Sequence, residues 1–177
     1  MRPHSIVVAL CLFTIPVAAA ELPPRKPGLW ELKMNFARNA PPQVMQQCTD
    51  ASTDKLMHST SGNSGAPENC SKRDISTSGN QTVIDSVCTV SGKTMISHTV
   101  VTGSFDSAYV MNITTKSDGP LAPGEMSELS MTLQGKWLGP CAADQKPGDM
   151  IMPGGMKINV IDMQRRMPGG AGGPPAR

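Results

Sequence analysis

The sequence predicts an all-β protein with a minor α component: a curved, half-barrel-like antiparallel β-meander of about six strands, with one short helix and a flexible C-terminal tail. Three observations predict it. Between Cys70 and Ser117, Val, Ile and Thr are concentrated in short segments where apolar and polar residues alternate, the pattern of strands on a half-buried sheet. The breaks between those segments, Ser78-Gly79-Asn80, Ser91-Gly92 and Gly103-Ser104-Phe105-Asp106, each hold a residue that tolerates positive φ and permits a tight turn. Connections this short join antiparallel neighbours only, because a parallel return needs a crossover of a dozen or more residues.

The chain opens with Arg2, an apolar run from Ser5 to Val17, and Ala18-Ala19-Ala20 before Glu21. This is the layout of a cleaved secretory signal peptide over residues 1–20. The run is too short to span a bilayer, and no later segment approaches the roughly 20 apolar residues of a membrane helix. Cys11 follows Leu10 rather than the small residue a lipidation site requires, so the leader is read as cleaved and not as an anchor. The mature domain is expected over 21–145, followed by a Met, Gly and Pro-rich tail over 146–177, with a short helix across 159–167.

Leu22-Pro23-Pro24 makes an extended entry, since proline fixes its own φ and excludes its predecessor from the helical region. The first strand covers Leu29 to Phe36: Trp30, Leu32, Met34 and Phe36 share one face, and Glu31, Lys33 and Asn35 the other. Gln43 to Cys48 is a weaker strand candidate. Thr49 or Ser52 can cap a short helix from Ser52 to His58, with Asp50 and Asp54 near its start. The meander strands follow at 71–77, 81–90, 93–102 and 108–117. In the last strong strand, from Met126 to Leu138, Leu129, Met131, Leu133, Gly135 and Trp137 fall on one face.

The whole chain carries a formal charge of +2, and loss of Arg2 with the leader brings it closer to neutral. That balance offers no electrostatic footprint for nucleic acid. Aromatic residues make up 3% of the chain, so the core is built from aliphatics and methionine and suffices for one domain. Cys11 leaves with the leader, and Cys48, Cys70, Cys88 and Cys141 form an even set in an exported chain, where oxidation is expected. Three pairings are formally open. A hairpin turning at Gly79 sets Cys70 opposite Cys88, which leaves Cys48 for Cys141.

The segments Lys26-Pro27-Gly28-Leu29-Trp30-Glu31, Gly135-Lys136-Trp137-Leu138-Gly139-Pro140-Cys141 and Lys146-Pro147-Gly148-Asp149, together with the cysteines between them, resemble the DUF3617 family of small exported bacterial proteins. The resemblance runs from about Lys26 to Met163. It implies a periplasmic, disulfide-bearing β domain and implies no activity or functional residues.

Enzyme signatures are missing from the sequence: there is no Gly-x-Ser-x-Gly elbow, no Cys-x-x-Cys and no paired histidines at zinc spacing. His98, between Ile96 and Val100, reads as a packed or rim residue. Asp85, between Val83 and Val87, reads as a rim or hydrogen-bonded carboxylate. The expected function is therefore a non-catalytic periplasmic binding or envelope-maintenance module. Its apolar sheet face is only partly covered, leaving room for a lipid-like ligand or an envelope protein. No cofactor is expected in that reading.

The alternative rests on methionine, at 13 residues the one compositional anomaly. Met150, Met152 and Met156 lie together in GDMIMPGGM, and thioethers are soft ligands suited to copper as Cu(I). Met163 and Met167, or His58, could complete such a site.

Overall fold

The computed structural model describes residues 22–37, 40–59, 69–90, 92–120 and 127–166. The expected leader and the last eleven residues of the tail therefore lie outside the described residues. Among the described residues, nine strands form one open antiparallel sheet that does not close into a barrel. In chain order they are β1 Gly28–Phe36, β2 Gln43–Thr49, β3 Asn69–Ser78, β4 Gln81–Val90, β5 Lys93–Ser104, β6 Ala108–Ser117, β7 Glu128–Gly139, β8 Asp149–Ile151 and β9 Lys157–Asn159. Helix α1, Ala51–Ser59, follows β2, and α2, Val160–Arg166, follows β9.

Across the sheet the order is β3-β4-β5-β6-β7-β1-β2-β8-β9. Strands β3 to β6 are the meander read from the sequence, each beside its predecessor, and β7, the last strong strand, continues it. Gly79 and Gly92 take φ of 59° and 79° and turn its first two hairpins, a conformation in which a Cβ is strained. The start of the chain then closes onto the end of the meander, with β1 hydrogen-bonded to β7 on one side and β2 on the other.

Where about six strands are expected, nine are present among the described residues. Strand β2 pairs with β1 from Gly28 opposite Thr49 to Met34 opposite Gln43. Strands β8 and β9 have three residues each, too few to show a period of two. The tail expected from residue 146 is also corrected, because 149–166 belong to the folded unit. Gln47 stands opposite Met150, and the Gly148 N–H donates to Cys48 O at 2.8 Å. The physical reason is tertiary: the edge of β2 offers unpaired backbone groups, and a short segment is held there that local pattern alone does not hold. Helix α2 falls within the span expected for a helix, and Asn159 Oδ1 caps it by accepting from the Ile161 and Asp162 N–H groups at 3.0 and 3.3 Å.

For α1 the cap is Asp50, not Thr49 or Ser52. Its Oδ1 accepts from the N–H groups of Ser52 and Thr53 at 3.1 and 2.8 Å, while Thr53 Oγ1 accepts from the Asp50 N–H at 2.9 Å. This is a reciprocal capping box.

The buried core comprises Trp30, Leu32, Ile84, Val101 and Tyr109. The Tyr109 ring lies 5.5 Å from Trp30 and 4.9 Å from Phe105, centroid to centroid. Gly135 stands opposite both Tyr109 and Leu32, and the Tyr109 ring fills the space a side chain there would need.

Candidate functional site

Strand register assembles an apolar surface on one face of the sheet. Phe36 faces Met131, Met131 faces Ile113, Ile113 faces Thr99, Thr99 faces Ile84 and Ile84 faces Ile75. The adjacent row runs from Met34 through Leu133 and Met111 to Val101. Side chains directly opposite on neighbouring strands are about 4.5–5.5 Å apart at Cβ, so each row is continuous. Ile84, Thr99 and Val101 are buried, whereas Met34, Phe36, Met111, Ile113, Met131 and Leu133 are only half-buried.

At the other end of β1 the same face is closed. The entry segment crosses it, with the Lys26 N–H donating to Phe105 O at 2.8 Å and Leu22 and Phe105 packed on the core. Beneath lies a buried polar cluster. Arg25 Nε donates to Asp54 Oδ1 at 2.6 Å, the Arg25 N–H to Asp54 Oδ2 at 2.8 Å, and an Arg25 terminal nitrogen to Gln47 Oε1 at 3.0 Å. The guanidinium also reaches the Tyr109 hydroxyl at 3.5 Å and sits 5.7 Å from the Trp30 ring centroid. Burial pushes the Tyr109 phenol up, against the pull of Arg25. Every member holds a partner, which is what burying a charge requires, and the cluster binds the entry segment, α1 and the sheet together.

From the sequence, Asp54 is placed near a helix start, and Arg25, Gln47 and Tyr109 are given no role in a site. Arg25 and Asp54 are 29 positions apart, and no local pattern links an arginine in a proline-rich entry to a carboxylate in the first turn of a helix. The two tryptophan motifs do meet. Trp30 stands opposite Trp137, Trp30 Nε1 donates to Lys26 O at 2.8 Å and Trp137 Nε1 to Pro27 O at 3.2 Å, and Lys26 Nζ lies 3.7 Å from the Trp137 ring centroid.

The cysteines are joined as Cys70 with Cys88 and Cys48 with Cys141. His98 is exposed and its Nδ1 lies 2.7 Å from Asp85 Oδ1, so His98 is not packed and Asp85 is hydrogen-bonded. These residues are register partners on β4 and β5. Asp74 extends the row and pairs with Lys72 at 3.0 Å, whose pKa its hydrogen bond and charge raise. Exposed, solvent-screened ion pairs of this type contribute little to stability.

Of the tail methionines, Met150 and Met152 are half-buried and Met156 is 61% exposed. Met163 stands on α2 beside a cleft of about 580 Å³ lined with Asp144, Lys157 and Arg166. Met167 and the His58 side chain lie outside the described residues. Among the described residues, no three His, Cys, Asp or Glu side chains gather to hold a metal ion, and no helix is long and apolar enough to cross a membrane.

No curated protein and no solved structure matches the chain. A family described as a protein of unknown function matches residues 25–141, a span that opens at Arg25, closes at Cys141, and takes in β1 to β7 while leaving β8, β9 and α2 outside. On that match, which covers more than half of its length, the chain belongs to the DUF3617 family.

Proposed function

We propose that the protein is an exported, non-catalytic envelope module that holds a lipid-like ligand on the open part of its apolar sheet face. The observation that carries this reading is the row of Phe36, Met131 and Ile113, with Met34, Leu133 and Met111 beside it, left half-buried while the opposite end of the face is sealed. Apolar area left in contact with water loses roughly 25 cal/mol per Å² of available stabilisation. A contiguous surface of this kind is characteristic of a binding site. Flexible methionines suit a chain-like ligand because they repack around irregular shapes. The export reading rests on the leader-like first 20 residues and agrees with two disulfides.

Native mass spectrometry of the protein released from the periplasm tests the reading. A bound amphiphile is expected on the native chain and is lost in Ile113→Glu, which places a charge in the middle of the row. Repeated recovery of ligand-free protein, or equal retention by Ile113→Glu, overturns it.

A further inference from the structure

We propose that β2 and the β8–β9 hairpin carry a Cu(I) site built from the thioethers of Met45, Met150, Met152 and Met156. The juxtaposition comes from sheet register. Gln46 and Gln47 stand opposite Ile151 and Met150, which sets Met45, two residues before Gln47 on β2, on the face that Gln47 and Met150 share. The Met152 N–H donates to Met156 O at 2.8 Å, and Met150 stands opposite Ile158. Residues directly opposite, and residues two apart on one strand, share a face. Met45 and Met150 therefore share one face of β2 and β8, while Met152 directly follows β8 and Met156 directly precedes β9.

Two of the sulfurs, those of Met45 and Met150, share a neighbour. Gln47 Nε2 lies 3.7 Å from Met45 Sδ and 3.6 Å from Met150 Sδ, so a single amide touches two thioethers. The Gln47 carboxamide is itself oriented by Arg25, which donates to its oxygen at 3.0 Å. Packing does not explain the whole row, because Met156 is 61% exposed.

The donor set selects the ion. Thioethers are neutral and soft, which favours Cu(I) over Zn²⁺ or the hard divalent cations. The cysteines that would compete for a soft ion are joined in disulfides. The nearby carboxylate, Asp149, is engaged by the Asn159 amide at 2.8 Å and the Lys146 N–H at 3.0 Å. The site lies largely on elements outside the family match, and it is independent of the ligand proposed for the apolar face.

Anaerobic titration of the disulfide-intact mature chain with Cu(I), against a competing Cu(I) chelator, tests the proposal. Uptake of about one Cu(I) per chain is expected. Met45→Leu and Met152→Leu should each weaken it by at least the 10–100-fold that loss of an outer-shell partner costs, while Met95→Leu leaves it unchanged. Leucine conserves volume, and an unaltered circular dichroism spectrum shows that each variant folds. In the unsubstituted protein, added Ag(I) should shift the methyl NMR signals of Met45, Met150, Met152 and Met156. No uptake, full uptake by Met45→Leu, equal loss in Met95→Leu, or shifts confined to other methionines overturns the site.

Discussion

Arg25 and Asp54 form a two-point contact in which the side-chain Nε and the backbone N–H of the same arginine grip both oxygens of one carboxylate, at 2.6 and 2.8 Å. The two side chains are 3% and 0% exposed. The contact fastens the entry segment to the first turn of α1, and so decides that the Trp30 end of the apolar face is the closed one.

Removing one partner leaves the other charge buried without its counterion. Asp54→Ala is expected to lower unfolding free energy by about 3–5 kcal/mol, read from the midpoint of urea denaturation. Arg25→Met combined with Asp54→Leu should recover most of the loss, because an apolar pair of similar volume removes both desolvation costs. A double variant as unstable as Asp54→Ala alone contradicts this account.

The two disulfides differ in the length of chain they close, 93 residues for Cys48 with Cys141 and 18 for Cys70 with Cys88. In the chain-entropy model a loop of about 100 residues contributes about 4.7 kcal/mol and one of about 15 residues about 3 kcal/mol. Replacing Cys48 and Cys141 with alanine should therefore cost more than replacing Cys70 and Cys88, and should loosen the β8–β9 hairpin beside Cys48. Thermal unfolding and amide hydrogen exchange of the two double variants check the order.

Two carboxyls are held below their usual range. Asp50 is lowered first by the Thr53 N–H and then by the Ser52 hydroxyl. At Asp149 burial is the largest influence and acts upward, but the Asn159 amide, the Lys146 N–H and the charges of Lys157 and Lys146 together outweigh it. A carboxyl whose folded pKa is depressed stabilises the fold fully above its unfolded pKa and loses that contribution as pH falls through the folded value. Stability should decline on acidification below the ordinary carboxylate range. Asp50→Asn, which keeps a capping oxygen, should flatten part of the decline in urea midpoints measured across that range.

Gly135 faces Tyr109 across β6 and β7, and a Cβ there would meet the tyrosine ring. Gly135→Ala is expected to destabilise by about 1–3 kcal/mol through overpacking, and Gly135→Ala with Tyr109→Leu should lose less than the sum of the single changes. Additive losses in thermal unfolding would place the strain elsewhere.

Much of the sheet is legible one residue at a time. Trp30 to Phe36 and Leu129 to Trp137 alternate strictly, and alternation on a pleated strand is itself the statement that one face is buried. Short turns at Gly79 and Gly92 then leave antiparallel neighbours as the only arrangement, and Cys70 opposite Cys88 follows from the same hairpin. The candidate site was legible in part, since its apolar faces are visible in those two strands while the buried cluster that closes one end is not. Asp50 as the cap of α1 shows a finer limit: Thr49, Asp50 and Ser52 are all capping residues, and only backbone geometry selects among them.

By itself the sequence determined the strand faces, the hairpins of the meander and the family, because side-chain period and loop length act over a few residues. The tertiary structure alone decided that Arg25 meets Asp54, that Gln47 touches both Met45 and Met150, and that β8 and β9 join the sheet. Those contacts depend on which strand edges remain unpaired once β1 has closed onto β7, and backbone pairing across that distance leaves no periodic mark on the chain.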